Sequence, residues 1–345
     1  MEMKMEEILL SSWFKLHPSV PSSHIQPPES RPGELLVAAS SKTIPVIDLG
    51  RCDDPPPHDT LSLIMKASQE YGFFQVINHG VSEELMEDTL NILKEFYDMP
   101  PKEKIAESSK SPNGICKLYT SAEVYRKDAP QYWKDTLRHP CLPSGEYMEF
   151  WPQKPERYRE IVGKYTEEVR KLGMKILKLV GEGLGLTADY FCGELSGSPV
   201  ILAHHYPPCP QPNLTLGIPK HKDPSLVTIL LQPQGIHALQ ILKDGQWLAV
   251  DPSPNALVVN VGLLLQIISN KRLIGAEHRV VTNANTARTS VAYFINPKDK
   301  CVIQPEISLI TSTTPPLYKP ISFSDFRTNF LIKGSSIEAD LLYHP

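Results

Sequence analysis

Downstream of Gly197 the chain becomes a succession of short β-type runs, at 200–206, 226–232, 239–242, 247–250, 256–261, 278–282 and 289–294. Turn chemistry such as Lys243-Asp244-Gly245 separates some of them. Many short strands at this spacing predict a sandwich or barrel. Proline sharpens the constraint. The chain holds 33 prolines in 345 residues, roughly twice the usual ~5%. Proline is excluded from helix interiors and central strands, so the elements must be short and bounded by turns.

The first half reads differently. Residues 1–42 are rich in Pro, Ser and Glu and read as an arm or linker. The apolar run 44–49, with its early Pro45, suits an edge strand. Residues 61–70 have a helical pattern closed by Gly72, and 73–78 are strand-like before the His79-Gly80 turn. Ser82 can cap a helix over 82–96, with Glu83 and Glu84 at its positive end. A long helix over 155–184 presents Ile161, Tyr165, Val169, Leu172, Ile176, Leu179 and Val180 as one stripe. A short helix near 322–331 follows the β-rich region. The division expected is an arm (1–42), a helical N-terminal domain (43–195), a β-rich catalytic domain (196–300) and a C-terminal tail (301–345).

Composition excludes several functions. With 41% hydrophobic and 21% charged residues the chain can build a sizeable core. Its net charge of −4 and pI near 6.3 argue against a nucleic-acid surface or a polybasic membrane patch. No apolar run reaches the length of a membrane span. The first sixteen residues lack the pattern of a secretory signal. Cys52, Cys116, Cys141, Cys192, Cys209 and Cys301 are scattered without a CxxC pair. Free thiols in a cytoplasmic protein are therefore expected, as is a monomer whose partner is a small-molecule substrate.

The chemistry is carried by two pairs. In His221-Lys222-Asp223 strand parity would turn the imidazole and carboxylate to one side and the lysine away. They are two thirds of the triad that holds non-haem Fe(II) with open positions. His278, which opens a β-run 55 residues after Asp223, fits as the third ligand. Ten residues later, Arg288 and Ser290 share a strand face and can clamp a carboxylate. Each element alone is commonplace. Together they suggest a dicarboxylate cosubstrate that chelates iron at its other end. A three-ligand catalytic zinc is the chemical rival, and the clamp argues against it.

With these motifs, the chain resembles the plant-type Fe(II)/2-oxoglutarate-dependent dioxygenases over residues 43–335. The resemblance rests on the run 44–49, on 71–81 (YGFFQVINHGV), on Tyr206-Pro207-Pro208-Cys209-Pro210, and on the HxD, His278 and Arg288-Thr289-Ser290 motifs. Tyr132-Trp133-Lys134-Asp135 and Ala188-Asp189-Tyr190-Phe191 resemble the branch of hyoscyamine 6-hydroxylase and the mugineic-acid hydroxylases. The resemblance implies a mainly β fold, a double-stranded β-helix (jelly-roll) core flanked by helices. It implies His221, Asp223 and His278 as iron ligands, and Arg288, Ser290 and Tyr206 on the distal carboxylate of 2-oxoglutarate. It implies O2 as cosubstrate, succinate and CO2 as products, support by ascorbate, and Phe294 against the organic substrate. Hydroxylation of a plant specialised metabolite is the expected activity, with hormone inactivation or metabolite binding without catalysis as alternatives. Two departures stand out. His204 replaces the usual Asn near Tyr206, and 232–239 (QPQGIHAL) lacks the common Asp and paired glycines.

Overall fold

The computed structural model describes residues 9–32, 43–50, 59–110, 114–124 and 129–343. In chain order, α1 (Leu10–Trp13) precedes β1 (Val46–Asp48), α2 (Thr60–Glu70), β2 (Phe73–Ile77), α3 (Glu83–Asp98), α4 (Pro101–Ser109), β3 (Lys117–Thr120), β4 (Asp135–Pro140) and the long α5 (Tyr158–Leu184). Then come β5 (Val200–Tyr206), β6 (Ile218–His221), β7 (Val227–Leu231), β8 (Leu239–Lys243), β9 (Gln246–Ala249), β10 (Leu257–Val261), α6 (Leu263–Ile268), β11 (His278–Val280) and β12 (Arg288–Ile295). β13 (Val302–Ile303), β14 (Ile321–Ser322), α7 (Phe323–Lys333) and α8 (Ile337–Leu341) follow.

All seven β-runs read from the sequence are strands. They divide between two sheets, of order β1-β2-β10-β7-β12-β5-β4-β3 and β6-β11-β8-β9. The predicted edge strand 44–49 contains β1, which runs parallel to β2 at the margin of the large sheet. Strands from both halves of the chain thus share one sheet. β8 and β9 are joined by Asp244-Gly245, both at positive φ, which suits a two-residue hairpin. No helix among the described residues is long and apolar enough to cross a membrane.

Period-two alternation divides the large sheet into a dry face and a chemical face. Ile201 and Ala203 of β5, with Val291, Tyr293 and Ile295 of β12, join Val169, Leu172 and Ile176 of α5 in one buried cluster. Gly173 lets the helix sit close, since a Cβ there would stand 2.4 Å from Ile295 Cδ1. The Tyr97 hydroxyl of α3 donates to the Ala203 carbonyl at 2.7 Å and accepts from the Leu137 amide at 2.9 Å. The opposite face looks toward the small sheet, where Tyr206, Val258, Leu239, Ile241 and Val280 pack together.

Residues 9–32, expected within an arm, lie against the body. The Asp135 carboxylate accepts from the amides of Leu10 and Ser11 at 2.9 and 2.8 Å, and Trp13 meets Trp133 edge-on. Ser82 caps α3 as expected, accepting from the Leu85 amide. None of the five described cysteines is in a disulfide; Cys52 lies outside the described residues.

Gly262, between β10 and α6, allows the tightest approach near the HxD segment. A Cβ there would stand 1.9 Å from the Ser225 carbonyl oxygen. Gly262→Ala should lower stability by about 1–3 kcal/mol through overpacking, read as an earlier urea midpoint. An unchanged midpoint would show that this approach has slack.

Candidate active site

His221 ends β6 and His278 begins β11, and the two are direct cross-strand partners. Their rings lie 4.1 Å apart. Asp223 is not on the strand, as parity alone suggested. It lies in the turn after β6, where its carbonyl accepts from the Leu263 amide at 2.7 Å. The turn still delivers it: Asp223 Oδ1 is 3.3 Å from His221 Nε2 and 3.5 Å from His278 Nε2. One ligand atom from each of the three residues lies within 4.8 Å of the others.

The tautomers follow from the partners. His221 Nδ1 is 2.8 Å from the Pro219 carbonyl, and His278 Nδ1 is 3.1 Å from the Ala276 carbonyl. A carbonyl only accepts, so each Nδ1 carries the hydrogen and each Nε2 turns a lone pair inward. Asn260 Nδ2 donates to Asp223 Oδ2 at 2.8 Å and leaves Oδ1 for the same point. Burial, with His278 adding to it, pushes the His221 ring down. Two imidazole lone pairs and one carboxylate oxygen converging without a hydrogen between them fit a divalent cation. The donor set is the His₂-carboxylate triad of non-haem iron, and the outer bonds are those that orient such ligands.

The second group lies on the inner face of β12 and β5. Arg288 pairs in register with Tyr206, and Ser290 with His204. Arg288 is 1% exposed. Its Nη1 donates to Ser290 Oγ at 2.9 Å and its Nη2 to Gln232 Oε1 at 3.2 Å. Both acceptors are neutral. Arg288 Nε and the Tyr206 hydroxyl are buried without a hydrogen-bond partner. Burial raises the Tyr206 phenol to about 12, with Arg288 opposing. A buried cation with spare donors beside it is matched to an anionic, planar acceptor such as a carboxylate.

His204, the register partner of Ser290, feels the charges of both groups. Its Nδ1 is 3.0 Å from Thr136 Oγ1, which also accepts from Lys134 Nζ at 3.0 Å. Burial, then the charges of Lys134 and Arg288, hold the His204 ring well below its ordinary pKa, so it is neutral. Burial likewise brings Lys134 down to about 8. Among the described residues no acid pairs with Lys134. A cavity of about 900 Å³ opens beside His221, lined also by Tyr132, Lys134, Ile218, Phe330 and Ser335. Phe294 is half-buried opposite Val200 and Thr228 and is not part of that lining.

The chain is similar to known oxygenases over nearly its whole length. The 2OG-Fe(II) oxygenase superfamily profile matches residues 197–297. The N-terminal profile of the non-haem dioxygenases in morphine synthesis matches 44–154. Hyoscyamine 6-dioxygenase of Hyoscyamus niger is 41% identical over 331 residues, covering 93% of this chain and 94% of that one. 2'-Deoxymugineic-acid 2'-dioxygenase of Hordeum vulgare is 38% identical, covering 96% of each. The crystal structure of JOX2 in complex with 2OG, Fe, and JA superposes with a TM-score of 0.87 at 34% identity, covering 98% of each chain. The chain belongs to the 2-oxoglutarate–Fe(II) oxygenase superfamily, in its plant type. It is a 2-oxoglutarate-dependent dioxygenase with a jelly-roll core, and Fe(II) and 2-oxoglutarate are its cofactor and cosubstrate.

Sequence reading passed over Asn260 and the role of Gln232. A lone buried asparagine within the apolar strand Leu257-Val258-Val259-Asn260-Val261 was the available signal. Asn260→Ala should weaken Fe(II) binding by roughly 10–100-fold, measured by chelator competition. An affinity equal to the parent protein's would remove Asn260 from the account.

Proposed function

We propose that this oxygenase hydroxylates a small-molecule plant specialised metabolite of flavonoid, alkaloid, coumarin or terpenoid type. In this reading His221, Asp223 and His278 hold the iron, and Arg288, Ser290 and Tyr206 hold the distal carboxylate of 2-oxoglutarate. The carrying observation is that three converging lone-pair donors share one barrel interior with a buried guanidinium that has no acid partner among the described residues. When bound, iron with 2-oxoglutarate and O2 supplies the oxidation of a C–H bond, releasing succinate and CO2. The chain's own part is to place the reactants and keep water out. The Nδ1 hydrogen bonds hold both imidazoles in the ligating tautomer. Arg288, through its fork and spare Nε, fixes the cosubstrate's far end. Neutral His204, the register partner of Ser290, adds no charge.

The cavity supports a substrate of modest size. Its apolar wall, with Ile218 and Phe330, suits a ring system. Lys134 offers a donor to a carbonyl, phenolate or carboxylate. Phe294 shares the strand face of Arg288 and Ser290 but sits beyond the cavity lining, so a substrate that meets it extends past that wall. Ascorbate is proposed to sustain turnover by keeping the iron reduced. Action on a hormone is the second reading, favoured by the similarity to JOX2 in complex with JA. Incubation with iron, ascorbate, 2-oxoglutarate and plant metabolite extracts tests both. A product that gains one oxygen atom or loses two hydrogens, formed with succinate, supports the proposal and identifies which class is used. Iron-dependent succinate release with no altered metabolite from any extract would contradict the substrate class.

Two variants probe the roles. Arg288→Lys keeps the charge but loses the fork. It should raise the 2-oxoglutarate KM at least roughly tenfold, or about 1.4 kcal/mol, and an unchanged KM would refute the clamp. Phe294→Leu keeps apolar bulk but removes the ring face. It should change substrate KM, kcat or product pattern; all three unchanged would place Phe294 outside the substrate site.

A further inference from the structure

Lys222, the middle residue of the HxD motif, points away from its two neighbours and into the C-terminal tail. Its Nζ donates to Glu338 Oε2 at 2.5 Å, with both side chains 17% exposed. Its backbone amide donates to Ser335 Oγ at 2.7 Å. Glu338 is saturated on its other oxygen: Oε1 accepts from Gln266 Nε2 at 2.6 Å and from the Tyr318 hydroxyl at 3.1 Å. Gln266 in turn accepts the Gly275 amide at 2.8 Å. One residue, bonded by main chain and side chain, therefore ties the tail to the turn that carries His221 and Asp223.

The tail needs such a tie at this place. α7 buries only Phe323 and Phe326, both near its start. Ile332 is 58% exposed. Apolar anchoring resumes at Ile337 and Leu341 of α8. The stretch 328–336 between these anchors spans the mouth of the cavity, where Phe330, Ser335 and Ser336, with Glu338 just beyond, form its wall. It is a strap packed at its two ends, with Phe330 half-buried between them, and Lys222 supplies its polar tie to the turn.

We propose that the Lys222–Glu338 pair is a latch that closes this strap over the substrate cavity and registers it against the iron-ligand turn, making Lys222 a positioning residue for substrate. The role in substrate binding rests on the reading of the cavity given above; the latch itself does not. Breaking one member of a partly buried pair leaves the other charge without its partner, so the strap is released while the core stays packed.

Hydrogen–deuterium exchange of the full chain, read by peptide, separates the possibilities. Lys222→Met and Glu338→Gln should each raise exchange across 328–336 at least fivefold, with 158–184 unchanged. The charge-swapped pair Lys222→Glu with Glu338→Lys should restore most of the protection. For any compound turned over in the extract screen, the single variants should raise its KM several-fold while the 2-oxoglutarate KM stays within twofold. Exchange across 328–336 equal to the parent's, a rise spread evenly over the chain, or no rescue by the swap would overturn the latch. Strap release and rescue with an unchanged substrate KM would keep the latch and overturn its role at the cavity.

Discussion

The Arg288 guanidinium, buried at the floor of the barrel, sets the terms for the molecule. A charge out of water is expensive unless paired and hydrogen-bonded. Here the neighbours are a serine hydroxyl, a glutamine carbonyl and a tyrosine ring whose centre is 5.3 Å away, with no acid among them. The rest of the fold must hold that arrangement. β12 carries Arg288 and Ser290 on one face and Val291, Tyr293 and Ile295 on the other, so the apolar packing of α5 against the outer face anchors the inner one. In the function proposed here, the carboxylate of 2-oxoglutarate would supply the missing charge.

The three proposed iron ligands are organised by the same economy of partners. Three lone-pair donors meet at one point because every other polar atom on those side chains is already engaged. Backbone carbonyls take both Nδ1 hydrogens and Asn260 takes Oδ2. The Asp223 turn is clamped by the Leu263 amide, and Gly262 permits the close passage. The site is rigid through these outer bonds rather than through the ligands alone.

Much of this was legible in the sequence, because local rules govern it. Period-two runs gave all seven strands they pointed to, the Ser82 cap and the α5 stripe appeared where expected, and the residues of the HxD and His278 spacing lie together, as do those of RxS. What escaped depends on partners distant in sequence. β3 and β4 mix Lys117, Arg138, His139 and Pro140 among few apolar residues, and become strands because β5 offers an edge. α6 is apolar except for Gln266 and shows no helical stripe, since all six of its residues are buried. Asp223 looked like a strand residue because a two-residue spacing puts side chains together in a strand, whereas a turn braced by α6 does the same. The bond from Lys222 to Glu338 crosses 116 residues and leaves no local mark.

We propose that His221, Asp223 and His278 hold one iron that 2-oxoglutarate also binds, with Arg288 at the far end of the 2-oxoglutarate. Anaerobic titration with Fe(II) and then 2-oxoglutarate, followed in the visible region, tests it without any organic substrate. The expected result is a charge-transfer band that needs both components, saturates at one Fe(II) per chain and is lost in His278→Ala. A band of equal strength in that variant, or iron binding with no band when 2-oxoglutarate is added, would contradict it.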